Sequence, residues 1–445
     1  MKEALEKISQ TYKARFRGET IELHEVCDSI TDCHHSTPLY LEEGKLVIRN
    51  YNIKNGRMVL TNVSYTDDLH FDQRTSRAKP ESGDLIITRE APMGEVCIIP
   101  DHIECCLGQR MVLIKPDARK VNNKFLLYAL MSEYTQIQIG KSKGTGSIVS
   151  NLRIPSLKEL KIPSLELPEQ TRIGEMLGSI DAKIEVNNKI NQELEAMAKS
   201  LYDYWFVQFD FPDANGKPYK TSGGKMVFNE VLKREIPEGW ESGKLGDVGK
   251  VSMCKRVMKH ETSLDEEIPF FKISTFGGEA NIFISKDLFE LYREKYSYPK
   301  RGDILISAAG TIGKTVIFDG ELSYFQDSNI VWIDNDESKI PNCFLFYYYQ
   351  TEPWVATGGS TIKRLYNENI RSLKTVFPNL DILNRFSKIV NPRLEKKHQI
   401  EKENKKLSEL RDWLLPMLMN GQVTVGEAEQ ELGMVAEENT KYEGL

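Results

Sequence analysis

"RGDILISAAGTIGKTVIF", residues 301–318, decides the fold of this chain because the chain writes it twice. The other version is "SGDLIITREAPMGEVCII", residues 82–99. Gly83 answers Gly302, Asp84 answers Asp303 and Gly94 answers Gly313, each pair 219 positions apart, and Val96 answers Val316 after a one-residue adjustment. At the same spacing "GQRMVLIKPD" (residues 108–117) falls on "DSNIVWIDND" (residues 327–336). Further on the spacing becomes 213: Gly146-Ser147 with Gly359-Ser360, Leu152 with Leu365, Leu157 with Ile370 and Leu160 with Leu373. Near the start "LHEV" (residues 23–26), read as the opening strand, answers "LGDV" (residues 245–248). A period this long marks a duplicated domain, not a solenoid.

The same stretch holds a loose phosphate-loop spelling, "AAGTIGKT" (residues 308–315). Such a loop works between a strand and a helix, where backbone N–H groups wrap the phosphates. Here the following "TVIFDG" is β-branched and aromatic and closes on Asp-Gly, which predicts a second strand. Ala308 replaces the first glycine, and the other copy has Glu95 where Lys314 stands. The glycines and the Gly-Asp are shared frame, while the tip varies. The nucleotide match is an accident of a strand–loop–strand unit.

The 445 residues suffice for two or three domains, and 40% hydrophobic with 28% charged residues is ordinary soluble composition. No stretch approaches the ~20 apolar residues of a membrane helix, and the charged N-terminus lacks a secretion core, so a cytoplasmic location without a membrane role is expected. Seven scattered cysteines suit a reducing compartment. "HEVCDSITDCHH" (residues 24–35) has Cys and His but no second pair at finger spacing, so no metal site is assigned and a loop after a short strand is expected. A net charge of −6 argues against a free-standing DNA binder with a dominant basic face. Much of the acidity lies in the tail from Glu427, read as a solvated end.

A helix follows each copy. In the first, Ile180, Asn187, Leu194 and Leu201 recur seven apart, with Ile184, Asn191, Ala198 and Trp205 as a companion row. The second offers Ile400, Leu407 and Leu414, with Asn404 answering Asn191. Breakers, Gly178 and Pro392, are expected just before each helix, leaving rods of roughly 40 Å at 1.5 Å per residue. Each rod's apolar face suits the other as partner. The asparagines have two readings, register-fixing seam positions or solvated ones. Residues 209–240, rich in Pro, Gly, Asn and Ser, read as a connector with turns.

That connector, "FDFPDANGKPYKTSGGKMVFNEVLKREIPEGW", resembles the central region of specificity subunits of type I restriction–modification enzymes. So do "LPEQTRIGEMLGSIDAKIE" (residues 167–185), "GDILISAAGTIGK" (residues 302–314), "GSTIKRL" (residues 359–365) and the overall order. The resemblance implies an α+β fold: two duplicated target-recognition domains separated by two long antiparallel coiled-coil-like helices in a pseudo-two-fold arrangement. The corresponding division is 1–20, an N-terminal extension read as a short helix; 21–166, first recognition domain; 167–208, first spacer helix region; 209–239, connector; 240–378, second recognition domain; 379–424, second spacer helix region; and 425–445, acidic tail. It further implies that each domain reads half of a bipartite target in double-stranded DNA and that the helices dock two modification subunits. Those partners would carry S-adenosylmethionine and methylate adenine, while restriction subunits would add ATP- and Mg-dependent translocation and cleavage. This chain would have no cofactor and no catalytic residue. Two other readings stay open, a protein-binding scaffold and a nucleotide hydrolase.

Bases are read by Arg to guanine, Asn or Gln to adenine, and Lys, Ser or Thr more loosely. On that basis the DNA-binding candidates are Arg89, Met93, Gln109, Arg110, Lys141, Lys143 and Ser147 in the first domain. The second domain offers Thr311, Lys314, Gln326, Ser328, Asn329, Thr361, Lys363 and Arg364. For each, a solvated side chain or a turn hydrogen bond is the alternative. Met93 in particular has the size to pack the loop.

Overall fold

The computed structural model describes residues 18–141, 151–354 and 364–427. It divides into two compact units, Met1–Asn187 with Glu403–Leu445, and Asn188–Lys402. Both carry the same strand order. In the first unit the main sheet runs Cys27–Asp32, Met111–Pro116, Leu85–Thr88, Val96–Ile98, all antiparallel, and a smaller sheet runs Ser64–Thr66, Lys45–Ile48, Cys105–Leu107. In the second unit the orders are Gly249–Ser252, Ile330–Asn335, Ile304–Ser307, Thr315–Ile317, and Phe283–Ile284, Ile268–Phe271, Tyr324–Phe325.

The main sheets are apolar on both faces because each is covered on both. Successive strand residues point to opposite sides. Leu85 and Ile87 join a core with the helix Asn123–Met131 and the long helices, while Ile86 joins a core with the smaller sheet. Likewise Ile304 and Ile306 pack with the helix Asn342–Gln350, and Leu305 faces the smaller sheet with Phe270 and Tyr324.

Two long helices, Leu167–Tyr202 and Leu380–Met419, follow the two domains. In the first unit Asn187 Nδ2 donates to Asn404 Oδ1 at 2.8 Å and Glu403 Oε2 at 2.9 Å, and Arg411 reaches Asp181 at 2.8 Å, so the pairing there is antiparallel. In the second unit Trp205 meets Phe386 and Glu195 meets Lys397 at 2.8 Å, in the same antiparallel sense. Ile180, Ile184, Asn187, Asn191, Ile400 and Leu414 are buried, and Leu194, Leu201, Asn404 and Leu407 are half-buried.

Three local expectations fail. Leu23–Val26 is a single tight helical turn, not a strand, because its Leu23 N–H is taken by Leu160 O at 2.8 Å and Val26 tucks under the sheet. Cys27–Asp32, expected as a loop, is a full strand paired with Met111–Pro116. Gly178 and Pro392 do not precede the long helices but lie inside them, which lengthens the rods to roughly 54 and 60 Å at 1.5 Å per residue. Burial of Ile173, Leu177 and Ile180 around Gly178, and of Phe386 and Val390 before an exposed Pro392, outweighs the breaker propensity. The connector carries a hairpin, Met226–Asn229 with Arg234–Pro237. The helix expected near the N-terminus and the acidic tail beyond residue 427 lie outside the described residues. Among the described residues no helix is long and apolar enough to cross a membrane.

Candidate nucleic-acid interface

The repeated motif builds one hydrogen-bonded hairpin twice. Gly83 and Gly302, both at positive φ, donate to Ile99 O and Phe318 O, and Asp84 and Asp303 accept from the N–H groups of Glu81 and Lys300 at 2.9 and 2.7 Å. Burial pushes both aspartate carboxyls above their ordinary value. At the far end Gly94 and Gly313 donate to Thr88 O and Ser307 O, each at 2.9 Å. Both glycines sit at φ of 80–90°, and a Cβ on Gly313 would lie 2.1 Å from the Trp354 ring, so no side chain fits there. Beside the tip, Arg89 N and Ala308 N donate to Arg110 O and Asn329 O, and Leu152 N and Leu365 N return to Arg89 O and Ala308 O. The phosphate-loop look-alike is therefore a turn between Ile304–Ser307 and Thr315–Ile317, as its sequence context indicates. Lys314 Nζ donates to Phe276 O at 2.6 Å.

On the first tip Arg89 is half-buried and fully engaged. It holds Asp32 at 2.7 Å, Leu152 O at 2.9 Å and Asn151 at 3.2 Å, which pins residues 151–152 to the tip. Met93 packs against the core. Gln109 donates to Thr37 Oγ1 at 3.0 Å and to His35 O. Arg110, exposed and at positive φ, pairs with Glu90 at 3.1 Å. Lys141, exposed, ends the helix Glu133–Lys141. Burial, with the Arg77 and Arg74 guanidiniums, holds neighbouring His34 below its ordinary pKa.

The second tip itself, residues 308–314, carries no acid, and the acid on the loop beside it, Asp327, is taken by Arg256 at 2.9 Å. Thr311 and Lys314 are exposed, Gln326 Oε1 accepts from Ile273 N at 3.0 Å, and Arg364 donates to Ser328 O at 2.8 Å beside Asn329. Thus Thr311, Lys314, Ser328, Asn329 and Arg364 come together on one loop cluster. Lys143, Ser147, Thr361 and Lys363 lie outside the described residues.

Sequence reading missed three segments beside these tips. In the first unit Asn50 Nδ2 donates to Ala91 O at 2.6 Å and Asn55 N to Glu95 Oε2 at 2.9 Å, bringing residues 49–57 against the tip. Arg49 lies over the rings of Tyr40 and Tyr51, at 4.7 and 4.8 Å. In the second unit residues 272–278 lean on Lys314, and Arg256 pairs with Asp327 at 2.9 Å. The runs "RNYNIKNGR" and "CKRVMKH" hold these Asn, Lys and Arg side chains, yet neither repeats between copies, so the internal alignment passes over them. Among the described residues no cluster of His, Cys, Asp and Glu is arranged to hold a metal ion.

The family model described as the type I restriction modification DNA specificity domain matches residues 19–196 and 237–409. A putative type I restriction enzyme specificity subunit from Haemophilus influenzae is 38% identical over 280 residues, 61% of this chain and 66%, just under two thirds, of the relative. A type I restriction enzyme specificity subunit from Methanocaldococcus jannaschii is 27% identical over 354 residues, 78% of each chain. The crystal structure of a type I restriction–modification S subunit from M. genitalium has the same fold, with a TM-score of 0.56 at 18% identity over 90% of this chain and 95% of that one.

Proposed function

The chain belongs to the type I restriction–modification DNA specificity family, and on that premise we propose that it selects the DNA sequence on which a modification–restriction complex acts. Each recognition domain reads one half of a bipartite target. The two long helices set the gap between the halves and dock two modification subunits, which carry S-adenosylmethionine. Restriction subunits joining that complex bring ATP and Mg. This chain contributes recognition and no bond-making group.

The observation that carries the reading is a duplicated hairpin frame whose two tips differ in chemistry. Glu90, Glu95 and Arg110 crowd the first, whereas Thr311, Lys314, Asn329 and Arg364 crowd the second. Carboxylates accept from cytosine, guanidinium and ammonium groups donate to guanine, and amides pair with adenine, so such tips favour different bases. Two unlike readers on like scaffolds suit an asymmetric two-part site. Adenine methylation mapped across the genome tests it, with and without this chain beside its modification subunit. One bipartite motif appearing only with the chain is expected, and exchanging residues 308–314 changes one half of it. No motif from an active, co-purifying complex would overturn the reading in favour of a protein scaffold.

A further inference from the structure

The two domains differ most where their frames coincide. In the first unit the outer strand Val96–Ile98 is covered by a hairpin, Ile53–Lys54 with Arg57–Met58, and Gly56 bridges to Cys97. This hairpin sits in a groove between that strand, the helix Asn123–Met131 and the first long helix. A Cβ on Gly56 would lie 2.7 Å from Met131 Sδ, and Arg57 reaches Asp181, whose other oxygen accepts from Tyr128 at 2.6 Å.

The second unit has the groove without the hairpin. Its connection, residues 272–282, is four residues shorter than residues 49–63 and contains no strand. Among the described residues the outer strand Thr315–Ile317 pairs with Ile304–Ser307 alone, and the loop at Gly277 approaches its other side, where a Cβ would lie 3.0 Å from Val316 Cγ2. A cavity of about 750 Å³ opens beside it. Strand register puts Val316 opposite Leu305 as Cys97 stands opposite Ile86, so Val316 answers Cys97 and not Val96 as the sequence alignment suggests. Val316, Phe346 and Leu394 line the cavity at the positions that Cys97, Leu127 and Asp181 hold in the first unit. Among the described residues the buried hydroxyl of Tyr347, the counterpart of Tyr128, has no hydrogen-bond partner, nor has Nε2 of His398, which lines the cavity. Of the four lining carboxylates, Glu395 is held by Arg301 at 2.8 Å and Glu401 by Lys397 at 3.8 Å, while Asp319 and Glu337 have no ion pair among the described residues. The hairpin that fills the first groove brings Lys54 and Arg57.

We propose that this groove is a docking site for a cationic β-turn of a partner protein, which adds to the Thr315–Ile317 edge as residues 53–58 cover Val96–Ile98. An open strand edge is a template for such addition, and the side walls supply selectivity. The inference goes beyond DNA reading and does not depend on it.

The test titrates the full chain with a closed hairpin peptide displaying Ile-Lys-Asn-Gly-Arg-Met, the turn of residues 53–58. Saturable binding is expected, with about tenfold slower amide exchange at Thr315–Ile317. Leu394→Trp, which fills the groove, should weaken binding about tenfold, roughly 1.4 kcal/mol. Should that variant fold poorly, Glu401→Lys at an exposed lining position should weaken it severalfold with unchanged circular dichroism. Absence of saturable binding, or binding indifferent to the substitution that folds, overturns the proposal. So does protection of the Thr315 and Ile317 amides, which point away from Ile304–Ser307, in the chain alone, since one of its own segments would then fill the groove.

Discussion

Arg89 directs its guanidinium inward to Asp32, with side-chain exposures of 11% and 22%, whereas Lys314 on the other tip is exposed. Breaking a pair this enclosed strands a charge, so Arg89→Ala should destabilise the first unit by about 3 kcal/mol. Denaturant unfolding followed by the fluorescence of Trp413, with the other four tryptophans replaced by Phe, measures it. Lys314→Ala should cost under about 0.5 kcal/mol of stability. On the proposed function it should weaken binding of the second half-site by about 1–3 kcal/mol if Lys314 contacts a base, and less, with a shallower salt slope, if it contacts phosphate. A third residue gives a pH signature. Glu104 accepts from Lys45 and Lys79, each at 2.9 Å, and these bonds hold its carboxyl down at about 2. Its folded value lies below its unfolded one, so its contribution is present above the unfolded value and is lost as pH falls from about 4.5 toward about 2. Glu104→Gln should flatten that acid limb of the first unit's unfolding curve, and high salt should flatten it in the parent chain because the group is exposed.

Elements follow packing more than local preference. Pro392 lies thirteen residues into the helix Leu380–Met419, where it removes one N–H and crowds the preceding turn. Phe386, Val390 and Ile400 hold the helix through it. Pro392→Ala should therefore stabilise the second unit by about 1–3 kcal/mol, read as a shift in its unfolding midpoint at constant slope. Loss of stability would mean that the proline relieves a clash rather than imposing one. Heptad rows disclose the long helices, but their starts are misread, because Gly and Pro signal a break only where tertiary burial does not override them. In Leu23–Val26 the apolar residues suggest a strand, and a hydrogen bond from Leu23 to the distant Leu160 makes it a turn.

The second unit is continuous in sequence, Asn188–Lys402, while the first needs Glu403–Leu445 from the far end of the chain. Leu414, Leu418 and Met419 complete the first unit's core, and Arg411 neutralises Asp181. A fragment of residues 188–402 should accordingly fold alone, with cooperative unfolding and dispersed amide resonances. A fragment of residues 1–187 should do so only when residues 403–427 are added in trans. Independent folding of the shorter first fragment would show that those three side chains are dispensable. Duplication, strand–turn–strand tips and the paired rods are legible from sequence alone, because repeats and periodicity are local patterns that burial imposes on every copy. Which tip side chains are engaged is not legible: Arg89 and Lys314 look alike as cations, and only the presence of Asp32 across the sheet separates them. The segments leaning on the tips and the groove left open in one domain are equally hidden, since they depend on loops of unequal length meeting surfaces far away in the chain. The sequence by itself determined the repeated frame and its periodic faces. Only the tertiary structure decided which charges are neutralised and which edges stay free, because Coulombic pairing and strand addition depend on distances that chain order does not encode.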